Sequence, residues 1–341
     1  MDGTPISVTL GGDHGYFLGI FVTAHSICRS ARPGTSLLLH VYDLGLEEGD
    51  RQVLKSLETM FNDRSVRVHM FEPDVRPFES FPKYHGSHAT FARLLLQDLI
   101  SDEWTIYVDV DLLWLKCVNE LWEMRDPRFA IFAVPDGSGF CEFSEAAALA
   151  EMHFPQAGGK APAPGGYYGA GVAMLNLAKL RELRFTSRVL EMIPDVSSVF
   201  TYNDQDFYNF LLPSPTLARL IDPSWNAVAC HWGTFGVDNQ VIHYAGWIPW
   251  RKGTKIRRVI MLWWEYLAGI GWEVFGSRAV ELRREYRMVR SRYRRLRNPV
   301  ALAFLRLFCP KQYRKRLLRL VPTPYDPARG GWCDPDPSGV A

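Results

Sequence analysis

Trp104-Thr105-Ile106-Tyr107-Val108-Asp109-Val110-Asp111-Leu112-Leu113-Trp114-Leu115 is apolar but for a threonine and two carboxylates spaced two residues apart. Its β-branched and aromatic content predicts a strand long enough to cross a sheet and emerge beyond its edge. In extended backbone, residues i and i+2 point the same way, so Asp109 and Asp111 are expected to aim both carboxylates at one point. Two hard oxygen donors favour magnesium or manganese over zinc. Two other Asp-x-Asp triplets begin at Asp204 and Asp334. Only Asp109 and Asp111 close an apolar strand, which is where ligands bind in open α/β sheets.

Around this stretch, short β-rich runs alternate with helical patterns, the signature of a mainly parallel sheet covered by helices. Ile6–Leu10 reads as the first strand, followed by the Gly11-Gly12-Asp13-His14-Gly15 turn and a helix from Tyr16 to Ser30. Strands at Leu37–Leu44 and Val66–Phe71 flank a helix at Glu47–Phe61, and a helix over Ala89–Ile100 leads into the acidic strand. Further strands are expected at Phe129–Val134, Ala170–Leu177 and Val241–Tyr244, with a helix at Asp204–Leu212. Between Asp136 and Tyr168 the chain turns rich in Gly, Ala and Pro, which excludes a helix or central strand and suggests either a mobile loop near the site or a plain connector.

The net charge of +2 hides an asymmetry: residues 251–341 carry 21 Lys/Arg against 7 Asp/Glu, while residues 1–250 carry 18 against 30. Such a basic segment suits a polyanionic partner, anionic lipid or nucleic acid, or simply a solvated helical surface. The six cysteines form no C-x-x-C pair and no zinc spacing, which fits a reducing compartment. Met1-Asp2-Gly3-Thr4-Pro5 lacks the basic and apolar regions of a signal peptide, so a cytoplasmic location is expected. The most apolar later stretch, Val259–Phe275, is interrupted by Glu265 and Glu273 and is short for a bilayer core. Three regions follow: a catalytic body over residues 1–250, a basic, aromatic helical region over 251–322 with helices at Arg278–Arg297, Pro299–Phe308 and Lys311–Leu320, and a disordered tail over 323–341.

Other residues carry chemistry. His243, in Val241-Ile242-His243-Tyr244-Ala245-Gly246, can complete a metal site through a neutral imidazole or be a satisfied core residue. Asn203-Asp204-Gln205-Asp206 opens a helix; one residue suffices as a cap, leaving an amide and carboxylates to face a reacting group. Arg93, in Thr90-Phe91-Ala92-Arg93-Leu94, is either paired in a structural ion pair or reaches over a ligand.

The ordered set Asp13-x-x-Tyr16, Thr90-x-Ala92-Arg93-Leu94, Tyr107-Val108-Asp109-Val110-Asp111, Gly171-Val172-x-x-Leu175-Asn176-Leu177, Asp204-Gln205-Asp206 and His243-Tyr244-x-Gly246 resembles family 8 glycosyltransferases. Within that family it looks most like the bacterial α-galactosyl- and α-glucosyltransferases that extend lipopolysaccharide cores. The resemblance implies an α/β fold of the GT-A type, a single Rossmann-like domain with a mainly parallel mixed sheet, followed by a helical basic C-terminal region. It implies a retaining enzyme that moves galactose or glucose from a UDP-sugar to a glycolipid or oligosaccharide acceptor, with manganese or magnesium on Asp109, Asp111 and His243. Gly11, Gly12, Asp13, Tyr16, Val110 and Gly246 would hold the nucleotide, with Tyr16 stacked on the base. Arg93, Asp109, Asp204 and Gln205 would hold the donor sugar, Gln205 and Asp204 acting at the reacting centre, and Asp136 would lie toward the acceptor.

Three positions depart from the family pattern. Gly15 stands where the family has Asn before its Tyr; Gly169 replaces an Asn that hydrogen-bonds the donor sugar; and Gly246-Trp247-Ile248-Pro249-Trp250 is one residue short and lacks the diphosphate-gripping lysine, for which Arg251 or Lys252 can substitute. The tail resembles those by which such enzymes sit on the inner face of the membrane, with Trp263, Trp264, Tyr266 and Trp272 suited to the headgroup zone and the arginines to anionic lipid. A non-catalytic nucleotide- or glycan-binding relative, and a nucleic-acid-binding protein acting through the tail, are the competing readings.

Overall fold

The computed structural model describes residues 4–81, 88–136, 166–196, 200, 204–229, 240–255, 257–297, 325–326 and 331–332. Nearly all of the Gly/Pro-rich stretch, Asn203, four of the cysteines (Cys141, Cys230, Cys309, Cys333), the expected helices Pro299–Phe308 and Lys311–Leu320, and most of the tail lie outside the described residues. The chain divides into two compact units, Met1–Val110 with Trp114–Asn226, and Asp111–Leu113 with Ala227–Ala341.

The first unit is built on a seven-stranded sheet. Its early strands are β1 (Ile6–Gly12), β2 (Ser36–Asp43), β3 (Ser65–Phe71) and β4 (Trp104–Val108). They are separated by the helices α1 (Phe17–Ser30), α2 (Glu48–Lys55) and α3 (Leu96–Leu99). After the short β5 (Leu112–Trp114) and α4 (Val118–Trp122), the sheet is completed by β6 (Ile131–Pro135), β7 (Tyr168–Asn176) and β8 (Ala218–Leu220). The helices α5 (Leu177–Glu182), α6 (Phe185–Val196) and α7 (Asp204–Leu211) fall between the last two strands. The strand order is β3-β2-β1-β4-β7-β6-β8. Only the pairings of β7 with β4 and β6 are antiparallel, so the expected mainly parallel mixed α/β sheet is what forms.

Central position explains the composition. All seven residues of β1 and all nine of β7 are buried, so these strands read as continuous apolar runs rather than alternating ones. The polar exceptions are satisfied: the Ser7 hydroxyl donates to Thr105 Oγ1 at 3.1 Å, and Thr9 and Thr105 share a bond of 2.8 Å. Gly11 is required sterically, because a Cβ there would stand 2.1 Å from the Tyr42 carbonyl oxygen.

Two local expectations are corrected. The predicted strand over Trp104–Leu115 breaks at the acidic pair: β4 ends at Val108, and β5 starts at Leu112 in a different sheet. A central strand buried on both faces has no place for two carboxylates, so the chain leaves the ladder at the first of them. Its last tie is the Asp109 N–H donating to the Gly171 carbonyl at 2.8 Å. The segment Ala89–Leu95, expected as α-helix, is a 3-10 helix. With three residues per turn, Thr90 and Arg93 stack one above the other, and the Arg93 guanidinium bonds both the Thr90 carbonyl and its hydroxyl.

In the second unit, β5 joins β10 (Val241–His243), which pairs in parallel with β9 (Ala227–Val228). The helices α8 (Arg258–Ile270) and α9 (Ala279–Leu296) follow. Trp263 and Trp264 are core residues, 0% and 1% exposed, rather than headgroup-facing ones as expected. Trp263 packs on Trp250 and Trp264, and the Trp264 indole donates to the Pro249 carbonyl at 3.1 Å. Apolar rings on one face of an amphipathic helix are drawn into the nearest core before any external surface. No helix among the described residues is long and apolar enough to cross a membrane.

Candidate active site

Arg93 is the hub of the first unit's polar cluster. It is 6% exposed, and its Nη2 donates to Asp109 Oδ1 at 2.8 Å while its Nε lies 2.9 Å from Asp204 Oδ2. Nη1 donates to the Ala170 carbonyl at 2.7 Å, and the guanidinium carbon sits 4.4 Å from the centre of the Tyr107 ring. The internal ion pair anticipated for Arg93 is therefore present, and it ties together three residues that lie far apart in sequence. Tyr107 donates to the same Asp109 oxygen at 3.0 Å, and Thr90 donates to Asp204.

One cation thus faces two carboxylates. Burial works against the Arg93 charge, yet Asp109 and Asp204 together hold its pKa well above the ordinary value. Burial pushes the Asp204 carboxyl up to about 6, against the pull of Arg93 and Thr90. The Arg93 charge and the Thr90 hydroxyl both favour the ionised form of this buried acid, with Arg93 the larger influence.

A second network lies at the start of β7 and α7. Gln205 accepts from the Ala170 N–H through Oε1 at 3.0 Å and donates through Nε2 to Tyr167 Oη at 2.9 Å and to Asp136 Oδ2 at 3.1 Å. A backbone N–H can only donate and a carboxylate can only accept, so the amide has one orientation. Tyr167 passes its own proton to Asp206 Oδ1 at 2.8 Å. Burial, with the Asp206 carboxylate second, raises the Tyr167 pKa and keeps that proton in place. Asn209 bonds both the N–H and the carbonyl of Tyr168, which fixes α7 to β7.

Asp111 and His243 are paired inside the second unit, Nε2 to Oδ1 at 3.2 Å, and the Tyr244 N–H donates to the Asp111 carbonyl at 2.8 Å. Asp109 precedes Asp111 by two residues of continuous chain, and one ligand atom from each of Asp109, Asp111 and His243 lies within 4.8 Å of the others. Two carboxylates and an imidazole at that spacing fit a divalent cation of the magnesium or manganese kind. A second group with such spacing, His14, Glu47 and Asp50, has a structural explanation: Glu47 and Asp50 form the capping box of α2, with His14 bonded to Asp50.

Gly11 and Gly12 end β1, and Asp13 and Tyr16 lie in the short turn that leads on to α1, where Asp13 accepts from the Gly15 N–H at 2.9 Å. The Val110 carbonyl accepts from the Thr23 hydroxyl at 2.9 Å, and Gly246 turns the chain after β10 with φ of +71°. Thr90 and Tyr107 stood inside quoted motifs without a role of their own, and Tyr167 and Asn209 were not singled out from sequence, because a hydrogen bond between distant segments leaves no local pattern.

The fold and this acidic, amide-bearing cluster at the strand ends define an α/β protein of the GT-A type. Residues 7–254 match the family model for Glycosyl transferase family 8, and the chain belongs to that family. A Haemophilus influenzae protein with the provisional name of glycosyltransferase is 25% identical over 207 residues, 60% of this chain and 58% of its own length. Glycosyltransferase GlyA of Streptococcus pneumoniae is 21% identical over 80% of this chain and 36% of that protein. The chain thus spans between about a third and three fifths of these curated relatives. Among solved structures, an active-site mutant of LgtC has a TM-score of 0.61 at 22% identity, covering 77% of this chain and 96% of that one. The galactosyltransferase LgtC with donor and acceptor sugar analogues gives 0.59 at 23%, covering 78% and 96%. These likenesses carry the fold.

Proposed function

We propose that the protein is a retaining hexosyltransferase that moves galactose or glucose from a UDP-sugar to a glycolipid of the lipopolysaccharide type, with manganese or magnesium held by Asp109, Asp111 and His243. The observation that carries this reading is the ligand group of two carboxylates and one imidazole beside the Arg93 ion-pair cluster in a family 8 chain. A divalent ion bound there supplies positive charge opposite a leaving diphosphate. The chain's own residues do the rest. Gly11, Gly12, Asp13, Tyr16, Val110 and Gly246 hold the nucleotide, with Gly11 and Gly12 letting backbone approach closely. Arg93, Asp109, Asp204 and Gln205 orient the hexose, and the locked Gln205 amide presents fixed dipoles to charge developing at the anomeric carbon. In this reading Asp136, which accepts a hydrogen bond from that amide, serves the acceptor.

The galactosyltransferase LgtC, solved with donor and acceptor sugar analogues, supports galactose as the first donor to test. Seven arginines against two glutamates in α9 support docking on the anionic inner face of a membrane, close to a lipid-linked acceptor. We take residues 1–250 as the catalytic body, 251–322 as the membrane-docking region and 323–341 as a tail.

The test is release of UDP from a panel of UDP-hexoses with manganese, with magnesium and with chelator. Metal-dependent cleavage of one UDP-hexose, lost by at least a hundredfold in Asp109→Ala, is expected for a group that binds both ion and sugar, worth roughly 3 kcal/mol or more. A folded protein that cleaves no UDP-sugar with either ion present excludes the proposal.

A further inference from the structure

We infer that Asn226 is a specificity-determining residue for the transferred sugar, its side-chain amide reading a hydroxyl over the gap that Gly169 leaves in β7. The inference rests on the reading of the site as a sugar-nucleotide centre. Gly169 is a glycine inside a nine-residue buried strand, where glycine costs stability and leaves open the volume that a side chain would occupy. The pairing of β6 with β7 is irregular at this point. Ala133 faces Ala173, but Val134, the next residue, faces Gly169, so several residues of β7 are passed over between consecutive partners. Such irregularities re-aim side chains beside sites.

What surrounds the gap is polar. A Cβ at residue 169 would lie 3.4 Å from Asn226 Nδ2, 3.7 Å from Gln205 Oε1 and 3.8 Å from Asp136 Cβ. An amide nitrogen, an amide oxygen and an acid therefore converge on one small volume, and two of the three belong to the network that locks Gln205. Asn226 is not on a loose loop. It ends the 3-10 turn Pro223–Asn226, whose Trp225 is fully buried against Trp114 and lies under the Lys116 ammonium, 4.2 Å from the ring centre. Lys116 also donates to Ser224 at 2.7 Å, and Asp222 caps the turn at the Ser224 N–H. The amide is thereby presented at a set place, the preorganisation that discrimination between sugar epimers requires.

Two kinetic quantities test this: kcat/KM for UDP-galactose and UDP-glucose with manganese, and the affinity for UDP alone. Losing one neutral hydrogen bond to the sugar, Asn226→Ala is expected to lower kcat/KM for the preferred donor about tenfold and to narrow the ratio between the two sugars. Its UDP affinity and melting temperature should match the parent. Asn226→Asp, which keeps the shape but replaces the amide donor, should shift the ratio as well. Gly169→Asn placed in the Asn226→Ala background should recover part of it, since that side chain starts in the same volume. An unchanged sugar ratio in both single variants overturns the inference. So does a loss of UDP affinity and thermal stability in step with activity, which would mean that Asn226 only braces the turn. A parent protein that cleaves neither UDP-sugar removes the underlying reading itself, a result distinct from either.

Discussion

Arg93 shows how one side chain holds a site together. Its guanidinium is shared among Asp109 just past β4, Asp204 at the start of α7 and the Ala170 carbonyl in β7. Replacing it by Met leaves two carboxylates without their cation, and breaking a buried pair in this way costs about 3–5 kcal/mol. We expect the urea midpoint of Arg93→Met to fall accordingly, and Arg93→Lys to recover only a fraction, because a single ammonium cannot span three acceptors in the plane of a fork. An unchanged midpoint in Arg93→Met would show that the cluster does not hold the fold. The Gln205 amide is the second case. Both of its ends are engaged, so the Tyr167-Asp206 pair sets where its dipole points without touching a sugar.

At the scale of elements, α1 gives a measurable pH dependence. It is buried along Phe17–Cys28, so His25 lies in an apolar setting between Phe21 and Phe61. Burial, assisted by the Arg29 charge, lowers its pKa from 6.5 to about 4. The unfolded chain takes up a proton near pH 6.5 while the folded chain resists until about 4. Stability from this residue is therefore complete above about pH 6.5 and drains away as pH falls toward 4, by on the order of 3 kcal/mol. In His25→Phe, thermal melts between pH 4 and 7 should lose that part of the acid sensitivity. A variant with the same pH profile as the parent would place the titration elsewhere.

At the scale of the molecule, charge separates along the chain. The basic excess lies after residue 250, and in α9 it is carried by exposed arginines, while the aromatic residues Trp263 and Trp264 are committed to the second unit's own core. The membrane docking proposed for this region then rests on the exposed arginines of α9. With roughly 1 kcal/mol per basic residue near an anionic surface, exchanging Arg283, Arg284 and Arg287 for Gln should weaken binding to vesicles containing anionic lipid about a hundredfold. Binding of the parent should fall steeply with salt, and neutral vesicles should not distinguish the two proteins. Equal binding by parent and variant would rule out α9 as the docking face.

Hydrophobic pattern along the sequence was enough for the α/β class and for most strands of the first unit, because strand and helix periods are local properties of the chain; the family was legible through the resemblance of its ordered motifs. The break after Val108 was not legible: Asp109-Val110-Asp111 satisfies the local pattern of a strand, and only the burial of β4 on both faces forbids its continuing. The fate of Trp263 and Trp264 was hidden for the same reason, since an apolar face looks alike whether it meets a bilayer or its own core. Spacing at the end of an apolar run thus singled out Asp109 and Asp111, and the family resemblance added His243, whereas the tertiary structure decided which acids share Arg93, which amide Asp136 and Tyr167 hold, and that Asn226 lies beside Gly169. Those pairings join segments tens of residues apart, and a contact that exists only after folding leaves no periodic trace in the chain that makes it.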